Sequence, residues 1–191
     1  MGEISTSKSD FEKVIRIGHS PDPDDAFMFH ALTTSAFPTP GYRYVHELQD
    51  IESLNQRALN SDLEVSAVSI HAYPEIADRY ALMNCGASMG EDYGPMVITK
   101  SGTTKEQVLS GPIAIPGLKT SAYMALRLCW GDIEVAIVPF DEIIPRVLDG
   151  TYLSGLIIHE GQLTYIDHDL DVLVDLGVWW SDRTGGLPLP L

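Results

Sequence analysis

"GPIAIPGLKTSAYMALRLCWGDIEVAIVPF", residues 111–140, carries the repeating unit of the chain. Ile113, Ala114 and Ile115 form a short apolar run closed by prolines and glycines, the mark of a buried strand. Thr120 then opens a helix as its N-cap, and Gly131 stops it. "IEVAIVPF" is a second strand, so the unit reads strand, helix, strand.

The same rhythm extends both ways. Downstream, "DEIIPRVLDG" (141–150) reads as a helix capped by Asp141 and ended by Gly150. Its Pro145 falls near the first turn, where a missing N–H costs least, and "YLSGLIIHE" follows as a strand. Upstream, "VIRIGHS" (14–20) is a strand. "PDPDD" then leads into a helix capped by Asp24 or Asp25, with Phe27, Met28, Ala31 and Leu32 on its inner face. Tyr42, Tyr44 and His46 alternate as in a strand. Asp50 starts a helix with Ile51, Leu54, Ala58 and Leu59 on one face. Residues 63–73 read as a strand entering a short helix near Tyr73–Ala77, and 103–111 as a short capped helix ending at Gly111. Alternation of this kind predicts an α/β fold with largely parallel sheets, and Gly-rich loops put a lobe break near 95–110.

Composition narrows the partners. The chain has 191 residues, 45% hydrophobic and 20% charged, enough for a real core. Lys and Arg total 12 against 27 Asp and Glu, a net charge of −15. No basic footprint for nucleic acid or an anionic membrane surface is visible. Residues 1–12 read as a flexible lead without a secretory pattern, and no stretch approaches the ~20 apolar residues of a membrane span. Cys85 and Cys129 read as two buried thiols of a reducing, cytoplasmic compartment rather than a disulfide. The closing "LPLPL" (187–191), with no final helix, reads as an interrupted fold.

Four stretches could carry chemistry. His159 ends an apolar strand, where ligands of α/β sheets gather, and can accept a proton near neutral pH; the plainer reading is a turn-capping histidine. Thr120, Ser121 and Ala122 open a helix whose free N–H groups and two hydroxyls suit a carboxylate or phosphate; the alternative is an ordinary cap. "HSPDPDDAF" (19–27) is a rigid loop able to line a cleft, with Asp24 its candidate contact, or simply a turn. In "SAVSIHAY" (66–73), Ser69 and His71 share a strand face, either facing a ligand or satisfied in the core. Asp167, His168 and Asp169 lack metal-ligand spacing, and there is no zinc, dinucleotide or P-loop pattern.

Taken in order, "SPDPDDAFMFHAL", "SAVSIHAY", "GASMGEDYGP", "IPGLKTSAYMALRL", "VPFDEI", "GLIIHEGQLTY" and "VDLGVWWSDRTGGLPLPL" resemble the 1,4-dihydroxy-6-naphthoate synthase family of menaquinone biosynthesis. The resemblance covers nearly all of residues 14–191. It implies a type 2 periplasmic-binding-protein-like fold with two lobes and an interlobe cleft, cut short at the C-terminus. The lobes would be 13–98 and 99–180, with 181–191 starting a return crossing. It also implies a lyase without metal or organic cofactor, acting on a small anionic substrate, cyclic dehypoxanthinylfutalosine. His159 matches the family's proton acceptor. Ala67, Val68, Ser69, Ser121 and Ala122 match its substrate contacts, with Thr120 and Asp24 beside them. A chorismate dehydratase or a non-catalytic anion binder of the same fold are the alternatives, and the oligomeric state is left open.

Overall fold

The computed structural model describes residues 12–158 and 161–190. The expectations placed on the N-terminal lead, on His159 with Glu160, and on Leu191 lie outside the described residues.

The first layer is a parallel sheet. β1 (Lys13–His19) leads through α1 (Pro23–Thr33) to β2 (Tyr42–Leu48), and α2 (Ile51–Leu59) leads to β3 (Val65–Ser66). The order is β2-β1-β3. β1 and β2 pair along their whole length, from Lys13 with Tyr42 to His19 with Leu48. α2 forms as its sequence demands. The Asp50 carboxylate accepts the Ser53 N–H at 3.0 Å, and Leu54 and Ala58 are fully buried.

The remaining elements build the second layer. They are β4 (Met89–Gly90), β5 (Met96–Lys100), α3 (Lys105–Val108), β6 (Ile113–Ile115), α4 (Ser121–Trp130) and β7 (Val135–Ile137). α5 (Ile143–Leu148), β8 (Ser154–Ile157), α6 (Gly161–Thr164), β9 (Leu170–Asp175), α7 (Leu176–Thr184) and β10 (Leu189–Pro190) follow. Five strands form one sheet in the order β7-β6-β8-β5-β9, and β10 pairs with β4. Neighbouring strand residues face opposite ways, and helices cover both faces. Val97, Ile113, Ile115 and Leu156 pack on one side with Leu126, Leu176 and Leu189. Ile98, Ala114 and Ile157 pack on the other with Ile143 and Val147.

Several expectations change. The second sheet is not all parallel: β5 runs antiparallel to both β8 and β9. The link from β5 to β6 contains only the four-residue α3, too little helix for a crossover, so the chain turns back. All of β5 pairs within this sheet, so a boundary between 98 and 99 falls inside a strand.

α1 starts earlier than expected, with Asp22 at the N-cap position and Pro23 at the start. Asp25 and Phe29, one helical turn apart, form its inner face: Asp25 accepts the Ser20 N–H at 2.6 Å, and Phe29 stacks on His19. That phase turns Phe27 outward, where it is 85% exposed, while Met28, Ala31 and Leu32 are half-buried as expected. The strand expected over 63–73 is only Val65–Ser66. The chain then turns, with Ala72 N–H donating to the Ser69 carbonyl at 2.9 Å, so Ser69 and His71 do not share a strand face. Asp141 does not cap α5 but lies in a 3-10 turn over Phe140–Glu142. Both cysteines are free, yet Cys85 is exposed and Cys129 half-buried, because Cys85 sits in the loop before β4 rather than in a core. Among the described residues, no helix is long and apolar enough to cross a membrane.

Candidate functional site

β6, β7 and β8 run parallel, so their C-terminal ends open on one edge of the second sheet. Pro116, Ile137, Pro139 and Ile158, at or just past those ends, wall a cavity of about 310 Å³. Its opposite wall is the N-terminus of α2, with Asp50, Ile51, Glu52 and Ser53. The volume lies at the lower end of small-molecule sites, about 300–1,000 Å³, and the position is where α/β sheets hold ligands. Ile158, the residue before His159, belongs to this wall.

A short segment joins the two sheets beside the cavity. The Lys119 N–H donates to the Glu52 carboxylate at 3.0 Å, and Gln56 Nε2 donates to the same side chain at 2.9 Å. Gly117 makes this approach possible: a Cβ there would sit inside the Glu52 carboxylate. The Lys119 ammonium pairs with Glu75. His71 Nδ1 donates to the Thr120 carbonyl at 3.2 Å, which brings the turn after β3 against the start of α4.

α4 begins as the sequence predicts. The Thr120 hydroxyl accepts from Tyr123 N–H at 3.1 Å and donates to the Gly117 carbonyl at 3.0 Å, so capping occupies it. Ser121 and Ala122 are each 4% exposed, and the Ser121 hydroxyl has no hydrogen-bond partner. Their amides precede the first intrahelical bond, from Met124 N–H to the Thr120 carbonyl, and belong to the orphan donors of a helix start. Ser69 is buried and bonded twice to Asn55, while Ala67 and Val68 are half-buried. Asp24 is exposed on the first turn of α1 and does not line the cavity. Among the described residues, no group of three or more His, Cys, Asp and Glu could hold a metal ion.

Sequence reasoning missed two contributors. Asn55 was detectable as a polar residue at an apolar position of an amphipathic helix. Glu52 carries no such signal, because its role comes from a contact 67 residues away. A histidine pair also closes the end of β1. His19 Nδ1 donates to the Ser20 carbonyl at 2.9 Å, and in the neutral pair its Nε2 accepts from His46 Nδ1 at 3.0 Å. His46 Nε2 is then buried without a partner, and burial, then the neighbouring His19, pushes the His46 imidazole below its ordinary pKa.

The sequence profile of a family described as menaquinone biosynthesis matches residues 15–191. The chain belongs to that menaquinone-biosynthesis family. Within the family it is 39% identical over 180 residues to the 1,4-dihydroxy-6-naphthoate synthase of Thermus thermophilus. It is 35% identical over 183 residues to the Streptomyces coelicolor protein of that name. These matches take in 94% and 93% of this chain, which spans 64% of the length of each relative. Protein AF1704 from Archaeoglobus fulgidus superposes with a TM-score of 0.83 at 45% identity, over 96% of this chain and 67% of that one. The alkanesulfonate-binding protein SsuA from Xanthomonas axonopodis superposes at 0.65 with 14% identity, over 85% of this chain and 60% of its own. That last likeness establishes that this menaquinone-biosynthesis chain has an α/β fold like those of periplasmic binding proteins.

Proposed function

We propose that this chain carries the substrate cleft of a 1,4-dihydroxy-6-naphthoate synthase, a lyase that converts cyclic dehypoxanthinylfutalosine to the naphthoate. The carrying observation is the 39% identity to a naphthoate synthase over 94% of the chain. Membership of a family described as menaquinone biosynthesis supports it. So does a cavity at the strand ends beside Ile158, although Ser69, Ser121 and Ala122 are not part of its lining.

In this reading the sheet of β1, β2 and β3 and the five-stranded sheet are the two lobes, and the substrate lies between them. The Ser121 and Ala122 amides and the Ser121 hydroxyl hold an oxyanion of the substrate at the start of α4. Ser69, with Ala67 and Val68, contacts it from the other lobe. His159 accepts the proton whose removal begins ring opening and carbon–carbon cleavage. A positioned base of this kind contributes about 10²–10⁴ in rate.

The test is turnover of cyclic dehypoxanthinylfutalosine by the wild-type chain and by His159→Ala. Turnover by the wild type and a loss of two orders of magnitude or more in the variant is the expected result. Naphthoate formation by His159→Ala at the wild-type rate refutes the assignment of the base. A wild type that binds ligand without turnover makes the protein an anion binder instead.

A further inference from the structure

Asn55 stands on α2 between Leu54 and Ala58, and none of it reaches solvent. A buried side-chain amide has two N–H donors and an acceptor oxygen to satisfy. Asn55 directs both ends of its amide at one residue. Its Oδ1 accepts the Ser69 backbone N–H at 2.8 Å, and its Nδ2 donates to the Ser69 hydroxyl at 3.0 Å.

This pair of bonds has a direction. A backbone N–H can face only the amide oxygen, so the first bond fixes which way the amide is turned. The second bond must then reach Ser69 Oγ as a donation. A hydroxyl has one proton and two lone pairs, and Asn55 occupies a lone pair only. The Ser69 proton remains unspent, in a side chain 3% exposed. The Ser121 hydroxyl, at the helix start to which His71 ties this turn, is also buried and unpartnered. Two hydroxyls on facing segments are thus both able to donate.

We propose that Asn55 is a positioning residue that sets the polarity of Ser69, holding its hydroxyl as a donor toward an acceptor oxygen of the substrate, a carboxylate or carbonyl oxygen. This rests on the naphthoate-synthase reading and adds to it the residue that selects for an acceptor at that place. The substitution Asn55→Asp inverts the arrangement. The carboxylate it introduces would still accept the Ser69 N–H, but it would also accept the hydroxyl proton and withdraw it from the ligand.

The experiment is a double-mutant cycle read by calorimetric titration with 1,4-dihydroxy-6-naphthoate. The proteins are the wild type, Asn55→Asp, Ser69→Ala and the double variant, each with a thermal melt. Loss of one directed hydrogen bond predicts about tenfold weaker binding for each single variant. The double variant should bind no more weakly than Ser69→Ala, although its stability still falls. If Asn55→Asp does not fold, Asn55→Ala completes the same cycle without a buried charge. Wild-type affinity in the position-55 variant overturns the proposal, as does an equal loss from it with or without the Ser69 hydroxyl. In both of those cases wild-type binding leaves the naphthoate-synthase reading standing. A wild-type chain that takes up no naphthoate overturns that reading and this proposal together.

Discussion

Replacing Gly117 with alanine should change the sign of its effect according to what stands at position 52. Gly117 is not among the positive-φ glycines, so its backbone accepts alanine without strain. On that ground alone the substitution would stabilise by about 0.4–1 kcal/mol, through the reduced freedom of the unfolded chain. The obstacle is steric and specific. The new methyl would overlap the Glu52 side chain from Cγ to Oε2, and the carboxylate must leave the Lys119 N–H it now accepts at 3.0 Å. A hydrogen bond to a charged group contributes about 1.5–3 kcal/mol, so the net expectation is a loss of about 1–2 kcal/mol. In a Glu52→Ala background the obstacle and the bond are both gone, and Gly117→Ala should then stabilise by about 0.4–1 kcal/mol. Urea unfolding followed by the fluorescence of Trp130, Trp179 and Trp180 measures all four proteins. The same effect of Gly117→Ala in both backgrounds would refute the claim that Glu52 is what keeps this position a glycine.

Three further outcomes are expected. His46 is held below its ordinary value of 6.5, so as pH falls through about 6.5 the unfolded chain takes up a proton before the folded one. The urea midpoint should fall in that window, and His46→Phe should flatten this part of the profile; an unchanged slope would count against the buried pair. Leu126 is fully buried between α4 and the second sheet, and Leu126→Ala should lower stability by about 2–5 kcal/mol, with a correspondingly lower urea midpoint. Exposed Cys85 should react with a thiol reagent at once in the folded protein. Cys129, whose thiol burial pushes up, should react only slowly until urea is added; equal rates would contradict their placement.

What could be read from residues alone was mostly local. Thr120 and Gly131 bracket α4, and Asp50 caps α2, because caps and stops are decided within a few residues. The apolar runs at Ile113–Ile115 and Ser154–Ile157 declared buried strands for the same reason. Errors arose where a distant partner decides. The outward turn of Phe27 on α1 goes with Asp25 reaching back to Ser20 and Phe29 lying on His19, contacts its own apolar pattern does not encode. The turn at Ser69 is held by Asn55 from another element, so the β-branched text around it overstated the strand. The direction of β5 depends on its neighbours in the sheet, which periodicity does not encode. Within the candidate site, Ser121 could be picked out as a residue, but not the absence of a partner for its hydroxyl.

Lys119 and Thr120 receive Glu52, Glu75 and His71, three side chains from separate points of the opposite half. Two adjacent residues thereby work as a latch with three catches. Any swing that widens the gap must release all three within the same small displacement, so half-open forms gain little over fully open ones. The molecule should therefore toggle between shut and open rather than breathe through a continuum.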